Sequence, residues 1–220
     1  MEKNSDKTAI VLANGEFPKN NVLLEKLLRS KMIICCDGAV QNLLNFGIIP
    51  NFIVGDMDSI SEESKIKFAD ILVPVQDTDT NDLTKAVKFC IKKGFKNVEI
   101  FGATGKREDH TLGNISLLAD YMDELVSVKM FTDYGVFIPI SQTTTLESFA
   151  NQVVSIFSIT PETLITTENL AYPVKNHNFR SWWEGTLNRS LGEQFSVAID
   201  CGKIVIFQGF CDSTTRKIVA

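Results

Sequence analysis

Short apolar runs alternate with helical patterns over the first 140 residues of the chain. This alternation is typical of a largely parallel sheet that is covered by helices. The predicted strands are 9–13, 32–36, 52–54, 71–75, 98–101 and 128–131. We therefore expect an α/β fold in the N-terminal part of the chain.

Helical spacing is clearest in two segments of this region. The first predicted helix starts near Asp82, and its apolar face is formed by Leu83, Ala86, Val87, Cys90 and Ile91. The second follows Asp109, and its apolar face is formed by Leu112, Ile115, Ala119 and Met122. Both helices would connect successive strands and cover the sheet.

The pattern changes to β beyond a polar stretch at 141–148. Residues 152–160, 195–199 and 204–207 are predicted strands, and the last two are expected to form a hairpin across residues 200–203. We therefore place a domain boundary at the polar stretch, with domains at 1–140 and 141–220.

Aspartates stand just past the carboxyl ends of the predicted strands. The residues concerned are Asp37, Asp56, Asp58, Asp77, Asp79 and, one loop further on, Asp109. Ligands of open α/β sheets bind at this edge, so we expect these carboxylates to converge.

Converging carboxylates need a cation. Two carboxylates about 4 Å apart repel each other by about 4 kcal/mol at an effective dielectric constant near 20. Mg²⁺ prefers carboxylate and water oxygens, and it typically shares its shell with substrate phosphates. The alternative is that each aspartate only forms a turn or caps a helix, as Asp82 would before residues 83–87.

Basic residues accompany the acids in the segment 105–110. Arg107 offers a fork that matches phosphate oxygens, and Lys85 would point back to the same edge from the first turn of its helix. Lys106 is expected to be a solvated loop charge. Carboxylates for Mg²⁺ combined with cations for phosphate predict a phosphoryl-transfer site.

Other classes of site fail on spacing or composition. Gly102 and Gly105 lie three residues apart, whereas the glycines of a phosphate-binding P-loop lie five apart. With two histidines, His110 and His177, the chain has no H-E-x-x-H zinc motif. A Ser/His or Cys/His nucleophile pair that uses His110 is not supported by a nucleophile-elbow pattern.

Composition limits the partners and the compartment. The five cysteines have no C-x-x-C zinc spacing and no disulfide framework, so reduced thiols are expected. A sequence pI near 5.1 without a basic run argues against nucleic acid as a partner. The apolar run near 9–13 is too short for a signal peptide or a membrane span, which predicts a cytoplasmic protein without a membrane partner.

An ordered series of motifs resembles the thiamine pyrophosphokinase family. The motifs are CDGA (36–39), PNFIVGDMDS (50–59), DTDTNDLTKAV (77–87) and GATGKREDHTLGNISLL (102–118), followed more weakly by NLAYPV (169–174) and GTLNRS (185–190). The resemblance implies transfer of pyrophosphate from ATP to the thiamine hydroxyl, giving thiamine diphosphate and AMP. It also implies Mg²⁺, a three-layer α/β domain that binds Mg-ATP over 1–140, and a small all-β sandwich over 141–220 that binds thiamine and dimerises.

The resemblance also implies roles for individual residues. The positions of the acidic metal-site residues are taken by Asp56, Asp58, Asp82 and Asp109, with Asp79 beside them. The residues around ATP and its phosphates are Asp37, Ser59, Lys85, Arg107 and His110. Catalysis would rest on Asp56, Asp58, Asp79, Asp82, Lys85, Arg107 and Asp109.

The thiamine site is expected near Trp182, Trp183, Thr186 and Asn188. Trp is the best aromatic partner for a cation such as the thiazolium ring of thiamine. The resemblance also implies a homodimer with a shared active site. Alternatively, both tryptophans pack in the core of the sandwich. Leu187 and Arg189 differ from the family pattern, which commonly has Ser and Glu there.

Two other functions remain open from the residues alone. Asp56 and Asp58 form a D-x-D pattern after a strand, as in phosphatases with an aspartyl nucleophile. Such an enzyme would release phosphate without an acceptor. A nucleotide-binding protein without catalysis is the third possibility, and it would bind ATP without forming AMP.

Overall fold

The computed structural model describes residues 8–125 and 127–211 of the chain. The chain divides into two compact units, Met1–Asp133 and Tyr134–Ala220. The first unit is mixed α/β, and the second is rich in β-structure. Within the described ranges, no helix is both long and apolar enough to cross a membrane.

The first unit is built on a parallel sheet. Its strands in the described ranges are β1 Thr8–Leu12, β2 Ile33–Cys36, β3 Phe52–Gly55, β4 Leu72–Pro74, β5 Asn97–Phe101 and β6 Ser127–Thr132. They lie in the order β6-β5-β1-β2-β3-β4, and each neighbouring pair runs parallel. The largely parallel sheet predicted from the alternating pattern is therefore confirmed.

Strand β1 marks the place where the chain reverses its direction of winding. It pairs with β2 on one side and with β5 on the other. In open α/β sheets a crevice opens at such a switch point, beyond the carboxyl ends of the strands. The loops that follow β1 and β5 are therefore placed to line a ligand site.

Five helices accompany this sheet in the described part of the unit. They are α1 Asn21–Arg29, α2 Val40–Asn45, α3 Glu62–Lys67, α4 Asp82–Lys92 and α5 Glu108–Tyr121. Helix α4 begins where the sequence predicts, but its cap is Asn81, whose side chain accepts a hydrogen bond from the Thr84 N–H. Since Asn81 fills the capping position, Asp82 is the first residue of the helix and its carboxylate is available for other contacts.

The apolar face predicted for α5 is partly wrong. Ile115 and Ala119 are buried as expected, but Leu112 is exposed. The inward position near the start of the helix is taken instead by Asn114, whose amide donates to the Ala103 carbonyl and accepts from the Asn81 side chain. This polar bridge replaces an apolar contact.

The second unit is a β-sandwich. Its strands in the described ranges are β7 Gly135–Ile140, β8 Thr144–Glu147, β9 Val153–Ser158, β10 Ile165–Glu168, β11 Asn188–Arg189, β12 Gln194–Ile199 and β13 Ile204–Gly209. They form two antiparallel sheets in the orders β11-β9-β13-β7 and β10-β12-β8. The two sheets share one apolar core, which confirms the predicted sandwich.

The hairpin predicted across residues 200–203 is wrong. Strand β12 pairs with β8 and β10, whereas β13 pairs with β7 and β9. Phe195 and Val197 of one strand and Ile204 and Ile206 of the other are buried in the same core. The two strands therefore belong to opposite sheets, and the turn crosses from one sheet to the other.

The polar stretch at 141–148 is not a simple linker, because it contains strand β8. Burial along β8 alternates between half-buried and exposed residues, as in a strand with one face toward a core. The stretch lies after β7, whereas the chain divides before β7, between Asp133 and Tyr134. The polar composition reflects the exposed face of β8 and the turns beside it.

Gly185 provides a test of packing in the second unit. A Cβ atom at this position would lie 2.0 Å from the carbonyl oxygen of Ile156, whereas one at Gly192 would meet nothing within 4 Å. We expect Gly185→Ala to lower the free energy of unfolding by about 1–3 kcal/mol because the backbone must shift. Gly192→Ala is the control and should change it little. Urea unfolding of both variants measures the difference, and equal stabilities would contradict the close approach.

Candidate functional site

A cleft of about 600 Å³ opens at the carboxyl edge of the parallel sheet. It is lined by residues from the loops after β1, β3, β4 and β5 and by the last residue of β2. The first turn of α4 and the first two turns of α5 complete the lining. Of the five aspartates in the segments 55–59 and 77–82, Asp56, Asp77 and Asp82 line this cleft. The carboxylates thus come together where the parallel strands end.

Lys85 is the buried cation of the cleft. Its side chain is 5% exposed, and its Nζ donates to Asp82 Oδ1 at 2.9 Å and to Asp56 Oδ2 at 3.3 Å. Burial lowers the pKa of Lys85, but the bonds and charges of Asp82 and Asp56 outweigh it, so the pKa lies above its ordinary value. Lys85 is therefore charged at neutral pH and holds these carboxylates together.

Asp56 reaches the cleft from the end of β3. Its Oδ1 accepts a hydrogen bond from the Asp58 N–H at 3.1 Å. That bond, and after it the bond from Lys85, holds the pKa of Asp56 below its ordinary value. The carboxylate is therefore ionised at neutral pH and is about two-fifths exposed, which leaves it able to take a ligand.

Asp37 is buried near Asp82 and Asp56 and does not line the cleft. It is 1% exposed, and it accepts hydrogen bonds from the backbone N–H groups of Gly38 at 2.6 Å and Met57 at 2.9 Å. Burial raises the pKa of Asp37, and the negative charges of Asp82 and Asp56 add to this effect. Asp37 thus ties the loops after β2 and β3 to each other, and the crowding of negative charge predicted for this edge is present.

Arg107 and His110 line the mouth of the cleft. The Arg107 fork donates to both carboxylate oxygens of Asp109, at 3.1 and 2.5 Å, and the His110 N–H donates to Asp109 Oδ1. The bonds from Arg107 lower the pKa of Asp109 to about 2. Asp109 is exposed and outside the cleft lining, so here it orients Arg107.

Besides Asp37 and Asp109, three residues predicted for the nucleotide and metal site lie outside the lining of the cleft. Asp58, Ser59 and Asp79 are exposed residues of the loops after β3 and β4. The Asp79 N–H donates to Asp77 Oδ1, and this bond forms part of a turn in the loop after β4. The roles predicted for these three side chains stay predictions.

Polar residues that the sequence analysis missed complete the cleft. Asn14, Asn81 and Asn114 line it, and the Asn81 and Asn114 side chains are hydrogen-bonded to each other. Asn14 directly follows the predicted strand 9–13, so the rule that located the aspartates would have found it. Asn114 had no such signal, because it stands inside a helix between apolar residues.

Cys36 does not support a thiol nucleophile paired with His110. It lines the same cleft and is 1% exposed. Burial raises the pKa of its thiol well above the ordinary value, and neighbouring negative charges act in the same direction. The thiol therefore stays protonated at neutral pH.

Comparison with known proteins identifies the family. A family model described as the catalytic domain of thiamin pyrophosphokinase matches residues 24–130. A second model, the substrate-binding domain of thiamin pyrophosphokinase, matches residues 135–207. The chain belongs to the thiamine pyrophosphokinase family.

Individual members of the thiamine pyrophosphokinase family support this assignment. Thiamine pyrophosphokinase of Bacillus subtilis is 38% identical over 130 residues, which cover 56% of this chain and 60% of the relative. Thiamin pyrophosphokinase 1 of Caenorhabditis elegans is 26% identical over 189 residues, which cover 79% of this chain and 77% of the relative. The resemblance drawn from the sequence motifs is confirmed.

Solved thiamine pyrophosphokinases have the same fold. The structure from Bacillus subtilis has a TM-score of 0.77 at 22% identity and covers 92% of this chain and 99% of its own. The structure from Candida albicans has a TM-score of 0.77 at 16% identity, covering 93% and 90%. At these identities the likeness concerns the fold alone.

The residues predicted to bind thiamine lie in the part matched by the family's substrate-binding model. Trp182 is half-buried, with its Nε1–H donating to the Ser158 carbonyl and its ring against Phe157 at 5.7 Å. Trp183 is 73% exposed. The alternative that both tryptophans pack in the core is therefore wrong, and Trp183 is the one available to a ligand.

Thr186 and Asn188 make local contacts in this part of the chain. The Thr186 hydroxyl donates to the Trp183 carbonyl at 2.7 Å. The Asn188 side chain accepts from the Tyr172 N–H and donates to the Tyr172 carbonyl, which fixes that segment beside β11. Their predicted contacts with thiamine stay predictions.

Proposed function

We propose that this chain transfers pyrophosphate from ATP to the hydroxyl group of thiamine, giving thiamine diphosphate and AMP. The family's models and the names of its relatives support this activity. The observation that carries it is the Lys85 ammonium held between Asp56 and Asp82 in a cleft at the end of a parallel sheet. Such a site combines the cation and the carboxylates that phosphoryl transfer needs.

The cations of the cleft would bind and orient the phosphates. Lys85 is fixed by its bond to Asp82, and Arg107 is held by its bond to Asp109. Both are charged at neutral pH, so they would stabilise the negative charge on the transferring group without rearranging. The thiamine hydroxyl would attack the β-phosphorus in line, and AMP would leave with the bridging oxygen.

The acidic residues fit a hard divalent cation. Asp56 and Asp82 each offer a partly exposed carboxylate close to Lys85. Within the described residues, no three His, Cys, Asp or Glu side chains form a metal-binding group. One or two carboxylates are nevertheless a common protein contribution to Mg²⁺, because phosphates and waters supply the other oxygens.

Asp56 and Asp82 are the residues we propose to hold Mg²⁺. When bound, the metal would neutralise charge on the phosphates and fix their orientation. The predicted metal roles of Asp58 and Asp109 stay predictions, because Asp58 lies outside the cleft lining and Asp109 is paired with Arg107.

Thiamine would be bound with the help of Trp183 in a homodimer that shares its active sites. The support is the exposed indole in the segment matched by the substrate-binding model. In this proposal the first unit, residues 1–133, binds Mg-ATP, and the second unit, residues 134–220, binds thiamine and dimerises. A cytoplasmic location is part of the same proposal.

The test is whether AMP formation depends on thiamine. The protein is incubated with ATP and Mg²⁺, with and without thiamine, and the nucleotides are quantified. We expect AMP and thiamine diphosphate in equal amounts, and only when thiamine is present. Release of inorganic phosphate without an acceptor would instead indicate the aspartyl phosphatase, and ATP binding without product would indicate a non-catalytic protein. No finding favours either alternative.

The cleft also predicts how ligands stabilise the protein. Three carboxylates, Asp37, Asp56 and Asp82, lie together with the single ammonium of Lys85, so negative charge is in excess and metal and nucleotide should bind cooperatively. We expect Mg²⁺ and ATP together to raise Tm by more than the sum of their separate effects. Thermal unfolding with each ligand and with both measures this. Additive shifts would mean that metal and nucleotide bind at separate sites.

A further inference from the structure

Two loops at the edge of the cleft are joined to each other. In the loop after β1, the Gly15 N–H donates to the Gly102 carbonyl at 2.6 Å and the Glu16 N–H donates to the Thr104 carbonyl at 2.8 Å. A Cβ atom at Gly15 would lie 2.4 Å from both of those carbonyl oxygens. No side chain fits between the loops, so they form one continuous wall of the cleft.

Lys106 adds a side-chain link within this wall. Its Nζ donates to both the backbone oxygen and the Oδ1 atom of Asn14, each at 3.0 Å. Both residues line the cleft. An ammonium group has three N–H donors, so two bonds to Asn14 leave a third for a ligand. Lys106 is an exposed loop residue, as expected, but its side chain is held by these two bonds.

The charge of Lys106 differs from those of the other cations in the cleft. Lys85 contacts Asp56 and Asp82, and Arg107 contacts Asp109. Among the described residues, Lys106 forms no ion pair, and its partners are the neutral oxygens of Asn14. Its positive charge is therefore not neutralised by a contacting carboxylate.

The backbone of Lys106 is strained. Its φ is 61°, in the left-handed region that a lysine rarely adopts. The glycines at 102 and 105 in the same loop also have positive φ, and glycine at position 106 would adopt this conformation without strain. A strained residue whose side chain is held at the edge of a ligand cleft points to a functional role.

We propose that Lys106 contacts the polyphosphate of ATP and that Asn14 is the positioning residue that holds its ammonium at the cleft. This inference rests on the proposed function, since it concerns the ligand of the same cleft. Lys106 would be the cation whose charge is free to neutralise phosphate, and Asn14 would fix it before the nucleotide arrives. The two residues would set the affinity for ATP rather than the chemistry of transfer.

The experiment measures ATP binding by calorimetry in the presence of Mg²⁺ and without thiamine. We expect Lys106→Met and Lys106→Gly each to weaken ATP binding about tenfold, because a hydrogen bond to a charged group is lost. Lys106→Gly should also raise Tm, because it relieves the positive φ. Lys92→Met, at an exposed lysine in the last turn of α4, is the control and should leave binding unchanged.

The Lys106→Gly variant distinguishes a role of Lys106 in ATP binding from a role in supporting the loop. If Lys106 only supported the loop, the unstrained glycine would bind ATP as well as the wild type does, and that result would overturn the proposal. Asn14→Ala tests the positioning role. As a single substitution it should weaken ATP binding severalfold, and when added to Lys106→Met it should have little further effect. Additive losses would show that Asn14 does not act through Lys106.

Measurements on the wild-type protein distinguish failure of this inference from failure of the proposed function. If the wild-type protein forms AMP and thiamine diphosphate while both Lys106 variants bind ATP normally, this inference fails and the proposed function stands. If the wild-type protein binds no ATP at all, both fail.

Discussion

Replacing Asp56 by Asn is expected to lower kcat about 10²–10³-fold while changing the KM for thiamine much less. The carboxylate contacts Lys85 and is one of the two residues proposed for Mg²⁺, so its charge acts mainly on the transferring group. The Asn side chain can still accept the bond from the Asp58 N–H, and the fold should survive. Steady-state kinetics with saturating Mg²⁺ measure the effect.

Asp70→Asn is the matched control, because Asp70 is exposed and outside the cleft lining. It should keep the wild-type kcat. Asp58→Asn is informative in a different way, since a loss as large as that of Asp56→Asn would make Asp58 a metal ligand after all. A near-normal kcat in Asp56→Asn would remove the basis of the metal assignment.

Replacing Trp183 by Ala is expected to raise the KM for thiamine about thirtyfold, through loss of a desolvated cation–π contact of about 2 kcal/mol. The KM for ATP and the stability should change little, because the side chain is 73% exposed. Trp182→Ala should instead destabilise the protein by about 3 kcal/mol, because this indole packs on Phe157 and bonds to Ser158. Kinetics and urea unfolding of both variants separate the two roles.

The proposed dimer adds a test of where the indole acts. If Trp183 serves the active site of the partner subunit, mixing Trp183→Ala protein with Asp56→Asn protein should restore some activity. One hybrid site then draws an intact aspartate and an intact tryptophan from different chains. No recovery in dimers shown to be mixed would exclude a shared site.

The parallel sheet and its ligand edge could be predicted from the sequence because both depend on local patterns. Buried parallel strands such as β1 are continuous apolar runs, and the residues just after them are placed by the strands themselves. This is why Asp56 and Asp77 were located correctly at one edge, whereas Asp82 was assigned to the site by the family resemblance. Asp79 is exposed and outside the cleft lining, in a turn whose conformation the strand pattern does not predict.

The features that the sequence did not predict depend on contacts between distant parts of the chain. The strands on either side of residues 200–203 have hairpin spacing, and only the shared core shows that they belong to opposite sheets. The inward position of Asn114 depends on Asn81 and Ala103, and nothing in its own helix signals it. The bond from Lys106 to Asn14 joins residues 92 positions apart, so a local pattern could not reveal it.

The most direct measurement of the central claim follows the phosphorus atoms of ATP. The protein is incubated with Mg²⁺, thiamine and ATP labelled with ³²P either at the β- or at the γ-phosphate, and the products are separated. Pyrophosphate transfer predicts that both labels appear in thiamine diphosphate and that AMP is unlabelled. Labelled ADP together with thiamine monophosphate, or labelled inorganic phosphate without a thiamine product, would contradict the account.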